Sequence, residues 1–244
     1  MTKICAHRGF SHNYPENSLK AFSKAIEAEA DSIEIDVRQT KDGYLVACHD
    51  YNLMRLMGKP ERLSDLTLKE FQRLKINDLE HPVTLDEIFA ELGQKTEIVL
   101  DIKEPLLEKK LLQLIYDHSL EDKVILSSFF PKILAMIKNH NEDIRTALIA
   151  GPLSILPLAI NICFYLRRVS EYTRSDYMHL CYMNVLYPGY KTLTKWGYKI
   201  SYWTVNRVRD IREVLSLEPE QIITNRPDLA KILLKRKIAR ENRK

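Results

Sequence analysis

Short strand-like runs alternating with helical patterns predict an α/β protein of the TIM (β/α)8 barrel class, with a small insertion after the second strand. Two observations carry this. Eight such runs, each followed by a helical segment, fit within 244 residues, close to the roughly 250 usual for the architecture. The glycine-rich strings GxGxxG and GxxxxGKS/T are also absent, so the phosphate loops of open doubly wound sheets, the competing architecture, are missing.

The first strand is predicted over 3–7. A turn-rich stretch containing Pro15 follows, and Asn17 or Ser18 caps a helix whose apolar positions Leu19, Phe22, Ala25 and Ile26 share a face. Residues 32–38 alternate Ile33, Ile35 and Val37 with Glu34, Asp36 and Arg38, a strand pattern. A turn at Lys41-Asp42-Gly43 returns the chain through Tyr44 to Cys48 as a hairpin arm. A two-residue loop there places Glu34 and His49 on one face; a three-residue loop reverses that parity. Residues 51–82 are long for one connection and predict a small excursion beside the barrel mouth. Six further strands are predicted at 97–103, 124–129, 145–150, 177–183, 199–205 and 221–224. Helical patterns occupy 64–74, 84–92, 106–116, 131–139, 190–196 and 210–215.

Composition narrows the class. Apolar residues make up 45% and charged residues 29% of the chain, which excludes disordered and collagen-like proteins. One domain over residues 1–244 is expected. Cys5, Cys48, Cys163 and Cys181 form no CxxC pair, so neither a disulfide framework nor a zinc site is expected. The opening MTKICAHRGF has no apolar signal region, which makes a cytoplasmic location the default expectation.

Charged residues stand where barrel strands normally present Val, Ile or Leu. His7 and Arg8 end the first strand, Glu34 and Asp36 share a face of the second, and His49 and Asp50 end the hairpin arm. Asp101 and Lys103 share a face of the third. One such residue would be unremarked surface charge. Three buried carboxylates need compensation, which a divalent metal supplies, and all-oxygen ligands favour Mg²⁺ or Ca²⁺ over zinc. Arg8 and Lys103 suit an oxygen-rich anion such as phosphate. Two histidines beside a phosphate suit proton shuttling, so phosphodiester cleavage is the leading reaction class.

The strings AHRG (6–9), PENS (15–18), EID (34–36), TKDG (40–43) with HD (49–50), DIK (101–103), WTVN (203–206) and ITNRP (223–227) occur in order over nearly the whole chain. This set resembles the glycerophosphodiester phosphodiesterase family. The resemblance implies a TIM barrel that splits glycerophosphodiesters into an alcohol and glycerol 3-phosphate. It implies His7 and His49 as the acid/base pair and Glu34, Asp36 and Asp101 as metal ligands. Arg8 and Lys103 would contact phosphate, with Trp203 near the glycerol or the leaving group. Two positions depart from the family pattern. Asp101 stands where Glu is commoner, so this shorter ligand would bind through water or shift the metal preference. Asn225 replaces the commoner Asp and is read as structural.

The other histidines, His12, His81, His118, His140 and His179, are read as surface or packing residues, with His12 nearest the catalytic face. Phe129 and Phe130 fit either the mouth or the core. No charge occurs between Arg145 and Arg167, yet Gly151, Pro152 and Pro157 break that run, so a strand, a loop and an apolar helix are expected rather than a membrane span. The loop over 151–158 would form a greasy rim favouring lysophospholipid-like substrates, which makes a lysophospholipase D the alternative within enzymes. A phosphate- or lipid-binding barrel without activity is the alternative outside them. Residues 231–244 carry seven basic groups and one acid, whereas the rest of the chain is slightly acidic. The tail's net +6 against −2 elsewhere makes up the overall +4; such a run is usually just solvated, with peripheral contact to anionic lipid as the alternative, and no nucleic-acid partner is expected.

Overall fold

Alternation within the strands sets the architecture. The computed structural model describes residues 1–151, 159–183 and 189–242. In β1 (Lys3–His7) and β2 (Ser32–Gln39), Ile33, Ile35 and Val37 turn outward into an apolar layer under the helices, and the residues between them turn inward. Strand β3 (Leu45–Ala47) pairs antiparallel with β2. The remaining strands are β4 (Glu97–Ile102), β5 (Val124–Ser128), β6 (Arg145–Ala150), β7 (Tyr177–Cys181), β8 (Lys199–Trp203) and β9 (Gln221–Thr224). All but β3 run parallel, and β1 pairs with both β2 and β9, which closes the predicted barrel.

The barrel interior is stacked by chemistry. At its N-terminal end Lys3 and Arg145 each lie 2.8 Å from Glu97. Above them Cys5, Val99, Ile125, Ala147, Tyr177 and Ile223 form a buried apolar layer. This layer seals the bottom, so only the C-terminal end is left to the polar residues of the next layer.

Helix α1 (Leu19–Glu27) starts at Ser18, whose Oγ accepts the Ala21 N–H at 3.1 Å. Between the two predicted caps, Ser18 takes the role and Asn17 turns elsewhere. The excursion after β3 carries α2 (Met54–Met57), a 3-10 turn at Leu63–Asp65 and α3 (Leu68–Phe71). A single helix over 64–74 does not form because Thr67 is extended and caps α3 in a reciprocal box with Glu70. Val46, Cys48, Leu53, Leu63 and Phe71 give this excursion an apolar cluster of its own.

The outer ring continues with α4 (Leu85–Leu92), α5 (Glu108–Asp117), α6 (Pro131–His140), α7 (Ala159–Thr173), α8 (Gly189–Lys195), α9 (Val208–Leu215) and α10 (Pro227–Glu241). Their apolar faces pack on the strands in two large clusters. All four cysteines are free and buried. Of the predicted greasy loop, Gly151 opens at the end of β6; residues 152–158, with Ile155 and Leu156, lie outside the described residues. The basic tail extends α10 and ends at the face opposite the polar layer. Lys231 pairs with Asp31 at 2.7 Å, Lys235 with Glu29, and Lys237 with Glu218 at 3.2 Å. Among the described residues no helix is long and apolar enough to cross a membrane.

The hairpin takes the three-residue form. Gln39 pairs with Leu45, and the Thr40 N–H reaches the Tyr44 carbonyl at 3.0 Å across Lys41-Asp42-Gly43, with Gly43 at φ 84°. Strict alternation in this register would send His49 away from Glu34. The ladder stops at Ala47, however, and the chain leaves strand geometry before His49.

Candidate active site

Strand register gathers the ionisable side chains. His7 stands opposite Glu34 across β1 and β2, and Asp36 opposite Asp101 across β2 and β4. Lys103 follows β4, its N–H bonded to the Val37 carbonyl at 3.2 Å, so it stays in phase with Asp101.

Arg8 begins a tight turn with φ 57°, and Gly9 continues it at φ 80°. A Cβ on Gly9 would come within 2.6 Å of the Ala21 carbonyl carbon, so only glycine lets this turn lie against α1. The turn aims Arg8 at three carboxylates. Its backbone N–H donates to Glu34 Oε2 at 2.8 Å, Nη1 donates to Glu16 Oε1 at 2.7 Å, and Nε lies 3.1 Å from Asp36 Oδ2.

Both predicted histidines are anchored through Nδ1. His7 Nδ1 lies 2.7 Å from Asn225 Oδ1. With that carbonyl accepting, Nδ1 carries the proton and Nε2 keeps its lone pair. Burial, reinforced by the Arg8 charge, lowers this imidazole to about 4, so it is neutral at pH 7. His49 Nδ1 lies 2.7 Å from Asp50 Oδ1. Its backbone is fixed too: Arg38 Nε donates to the His49 carbonyl at 2.9 Å, and Arg38 Nη1 is held by Glu104 at 3.1 Å. Burial lowers His49 below its usual value, against the opposite pull of Asp36.

The three carboxylates are unequal. Asp36 is fully buried; Lys103 Nζ lies 2.8 Å from its Oδ1, and Asn17 Nδ2 donates to its Oδ2 at 2.8 Å. Burial alone would raise its pKa, but Lys103 and Arg8 outweigh that and hold it well below the carboxylate range. Asp101 pairs with Lys103 and is nonetheless raised by burial to about 6. Glu34 is pushed well above its usual value by burial and then by the neighbouring Asp36. Burial would lower Lys103, but Asp36 and Asp101 hold it above the ordinary lysine value. Two cations facing Glu34, Asp36 and Asp101 leave one surplus negative charge, which a proton shared within the cluster or a further cation compensates.

Such a cation fits. One oxygen each from Glu34, Asp36 and Asp101 can lie within 4.8 Å of one another. Asp101 Oδ1 is buried without a hydrogen-bond donor among the described residues. An orphaned buried oxygen, an all-oxygen donor set and a surplus negative charge suit a hard divalent ion.

These side chains open on a cavity of about 180 Å³ lined by His7, Arg8, Glu34, His49, Asp101, Lys103 and Trp203, together with Ser127, Phe129, Ile149, His179 and Ile223. Asp36 lies beneath, covered by its cations. Trp203 Nε1 donates to the His179 carbonyl at 3.0 Å, and its ring meets Phe129 edge-on at 5.7 Å. The expected site residues are thus brought together. Others enter that sequence reasoning passed over. Asn225, read as structural, holds His7 Nδ1; the motif ITNRP carried that signal. His179, read as packing, is buried and also lines the cavity. Glu16 and Asn17 lie within PENS, and Asp50 within the HD pair. His12 stays exposed and does not line the cavity.

A closed (β/α)8 barrel whose C-terminal mouth gathers two neutral imidazoles, two cations and three carboxylates is of the phosphoric-ester-processing class. Residues 7–229 match the model of the glycerophosphoryl diester phosphodiesterase family. The chain is 32% identical over 240 residues to a glycerophosphodiester phosphodiesterase of Caldanaerobacter subterraneus subsp. tengcongensis, covering 93% of this chain and 95% of the relative. It is 30% identical over 247 residues to that of Bacillus altitudinis, covering 94% and 97%. The crystal structure of glycerophosphodiester phosphodiesterase from Thermotoga maritima superposes with a TM-score of 0.81 at 28% identity, covering 96% of this chain and 98% of that one. The chain belongs to the glycerophosphoryl diester phosphodiesterase family.

Proposed function

We propose that this chain hydrolyses glycerophosphodiesters to an alcohol and glycerol 3-phosphate, using His7 and His49 for proton transfer. The observation that carries the reading is the pair of Nδ1-anchored imidazoles on one cavity with Arg8 and Lys103. Anchoring fixes each ring and leaves Nε2 as the atom that exchanges a proton. One imidazole takes a proton from the nucleophile, either water or the neighbouring glycerol hydroxyl, as its oxygen bonds to phosphorus. The bond from phosphorus to the departing alcohol then breaks, and the other ring, neutral in the free enzyme and protonated beside the bound phosphate anion, gives its proton to the alkoxide. Where the glycerol hydroxyl attacks, water then opens the cyclic phosphate to glycerol 3-phosphate.

Arg8 and Lys103 contact the phosphate and stabilise the charge that grows on its oxygens. Their own charges are held in place by Asp36 and Glu16. Trp203, braced by Phe129 and the His179 carbonyl, flanks the glycerol or the leaving group. Glu34, Asp36 and Asp101 would hold Mg²⁺ or Ca²⁺, which when bound acts as a Lewis acid toward the phosphate. The apolar layer below forms the floor of the cavity.

The cavity size supports a small reacting group. At about 180 Å³ it is smaller than the roughly 300–1,000 Å³ of drug-sized pockets. It suits phosphoglycerol and leaves the other substituent at the mouth. There Phe129 and Phe130 are 44% and 49% exposed, an apolar pair that favours a second reading, lysophospholipase D-type cleavage with an acyl chain along this rim. A cytoplasmic enzyme is compatible with either reading, whereas α10 held at anionic lipid would turn the mouth away from that surface and fits the first reading alone. A substrate panel separates them: glycerol 3-phosphate from glycerophosphocholine supports the first. Faster cleavage of the corresponding lysophospholipid supports the second, and binding without release of any product supports a binding-only barrel and contradicts both.

A further inference from the structure

His49 and Arg8 sit on different elements, yet one guanidinium links their supports. Arg55, on α2 in the excursion, donates through Nε to Asp50 Oδ2 at 2.7 Å. Its Nη1 and Nη2 donate to Glu16 Oε2 and Oε1 at 2.9 and 2.7 Å. Asp50 in turn holds His49 Nδ1 at 2.7 Å, and Glu16 accepts from Arg8 Nη1 at 2.7 Å. The result is a continuous chain of alternating groups, Arg8–Glu16–Arg55–Asp50–His49.

We propose that Arg55 is a positioning residue of the active site, through which the excursion holds His49 and Arg8 in fixed relation. This rests on the reading of His49 as a proton-transfer group and Arg8 as a phosphate contact. Arg55 does not line the cavity, so it acts only through Asp50 and Glu16. Its planar fork satisfies two carboxylates at once, which a lysine ammonium cannot reproduce. Such a clamp has a task here because His49 lies beyond the last ladder pair and Glu16 lies in a loop, so neither is placed by a strand. The clamp also sets the charge seen by His49. The groups facing this ring are Asp36 from β2, Arg8 after β1, Lys103 after β4 and Asp50 beside it, with Arg38 at its carbonyl. Removing Arg55 unmasks Asp50, which then favours the imidazolium more strongly.

The test compares wild type, Arg55→Ala, Arg55→Lys and His49→Ala, measuring glycerol 3-phosphate release from glycerophosphocholine across pH. The His49 ring is titrated by NMR in parallel on the first three. Arg55→Ala is expected to lose about tenfold or more in kcat, the scale of a misplaced catalytic group. Its acid limb and its His49 titration should both move to higher pH. Arg55→Lys should return the titration toward wild type while recovering only part of kcat. A kcat within twofold of wild type in Arg55→Ala, with His49→Ala inactive, would overturn the proposal and leave the reading of His49 standing. A lowered kcat with an unmoved titration would also overturn it, because Arg55 would then serve folding alone. Full activity in His49→Ala would overturn the reading itself and the proposal with it.

Discussion

At the scale of single residues, the proposed proton transfer uses two rings with different supports, Asn225 for His7 and Asp50 for His49. His7→Ala and His49→Ala should each lower kcat at least about a hundredfold, the lower range for acid–base catalysis; a loss under tenfold removes the ring concerned from the mechanism. Because burial depresses His49, its neutral form persists below pH 6.5. An acid limb due to His49 should therefore lie below pH 6.5 in a kcat/KM profile, and a limb above that value contradicts the assignment. The residue types at the site were legible because charges inside apolar strands are costly and therefore conspicuous. Asn225 was marked only by its place in ITNRP: a neutral amide after the last strand carries no charge signal, and its hydrogen bond to His7 depends on barrel closure, which joins residues 218 positions apart. His179 escaped for a related reason, since an imidazole on an apolar strand reads as packing whichever way it faces.

At the scale of elements, two local devices place the site. The Arg8-Gly9 turn packs directly on α1, so Gly9→Ala adds both a contact of 2.6 Å and an unfavourable φ. Strain of this kind is of order 1–3 kcal/mol, and Gly9→Ala should lower both the melting temperature and kcat, because relief moves Arg8. Unchanged phosphate affinity and turnover would show that the turn does not aim Arg8. The excursion depends on its own cluster, with Phe71 fully buried. Phe71→Ala should destabilise by about 3–5 kcal/mol and should reduce activity even where the barrel remains folded, since Arg55 stands on the same excursion. Calorimetry with parallel activity measurements checks this. Strand order and most bounds could be read from alternation; β6 and β9 fall where expected. The helix over 64–74 could not, because Thr67 offers a capping box that competes with continuation. Hairpin parity was equally undecidable, since a one-residue change in loop length flips it and the ladder ends before His49.

At the scale of the whole molecule, closure, charge placement and pH response come together. His179 is buried and neutral, with its value lowered by burial to about 4 from 6.5. As pH falls below 6.5 the unfolded chain takes up this proton before the folded one does. Stability is thus fully present above 6.5 and declines between 6.5 and 4, by about 3 kcal/mol for this group. His179→Gln should flatten that decline in denaturant titrations at successive pH values, and an unchanged slope contradicts it. The positive charge, by contrast, lies on α10 at the face opposite the cavity, and several of its lysines are already paired. Binding of α10 to an anionic surface would leave the barrel mouth facing away from that surface, so the proposed reading assigns substrate attraction to Arg8, Lys103 and a cation held by the carboxylates.

The most direct test of the catalytic site is glycerol 3-phosphate release from glycerophosphocholine by one preparation, measured as supplied, after chelation, and after return of Mg²⁺ or Ca²⁺, with Asp101→Ala beside it. Loss of release on chelation, recovery with one of these ions and no recovery in Asp101→Ala are expected. Undiminished release by the chelated enzyme, or full release by Asp101→Ala, would contradict a metal held by Glu34, Asp36 and Asp101.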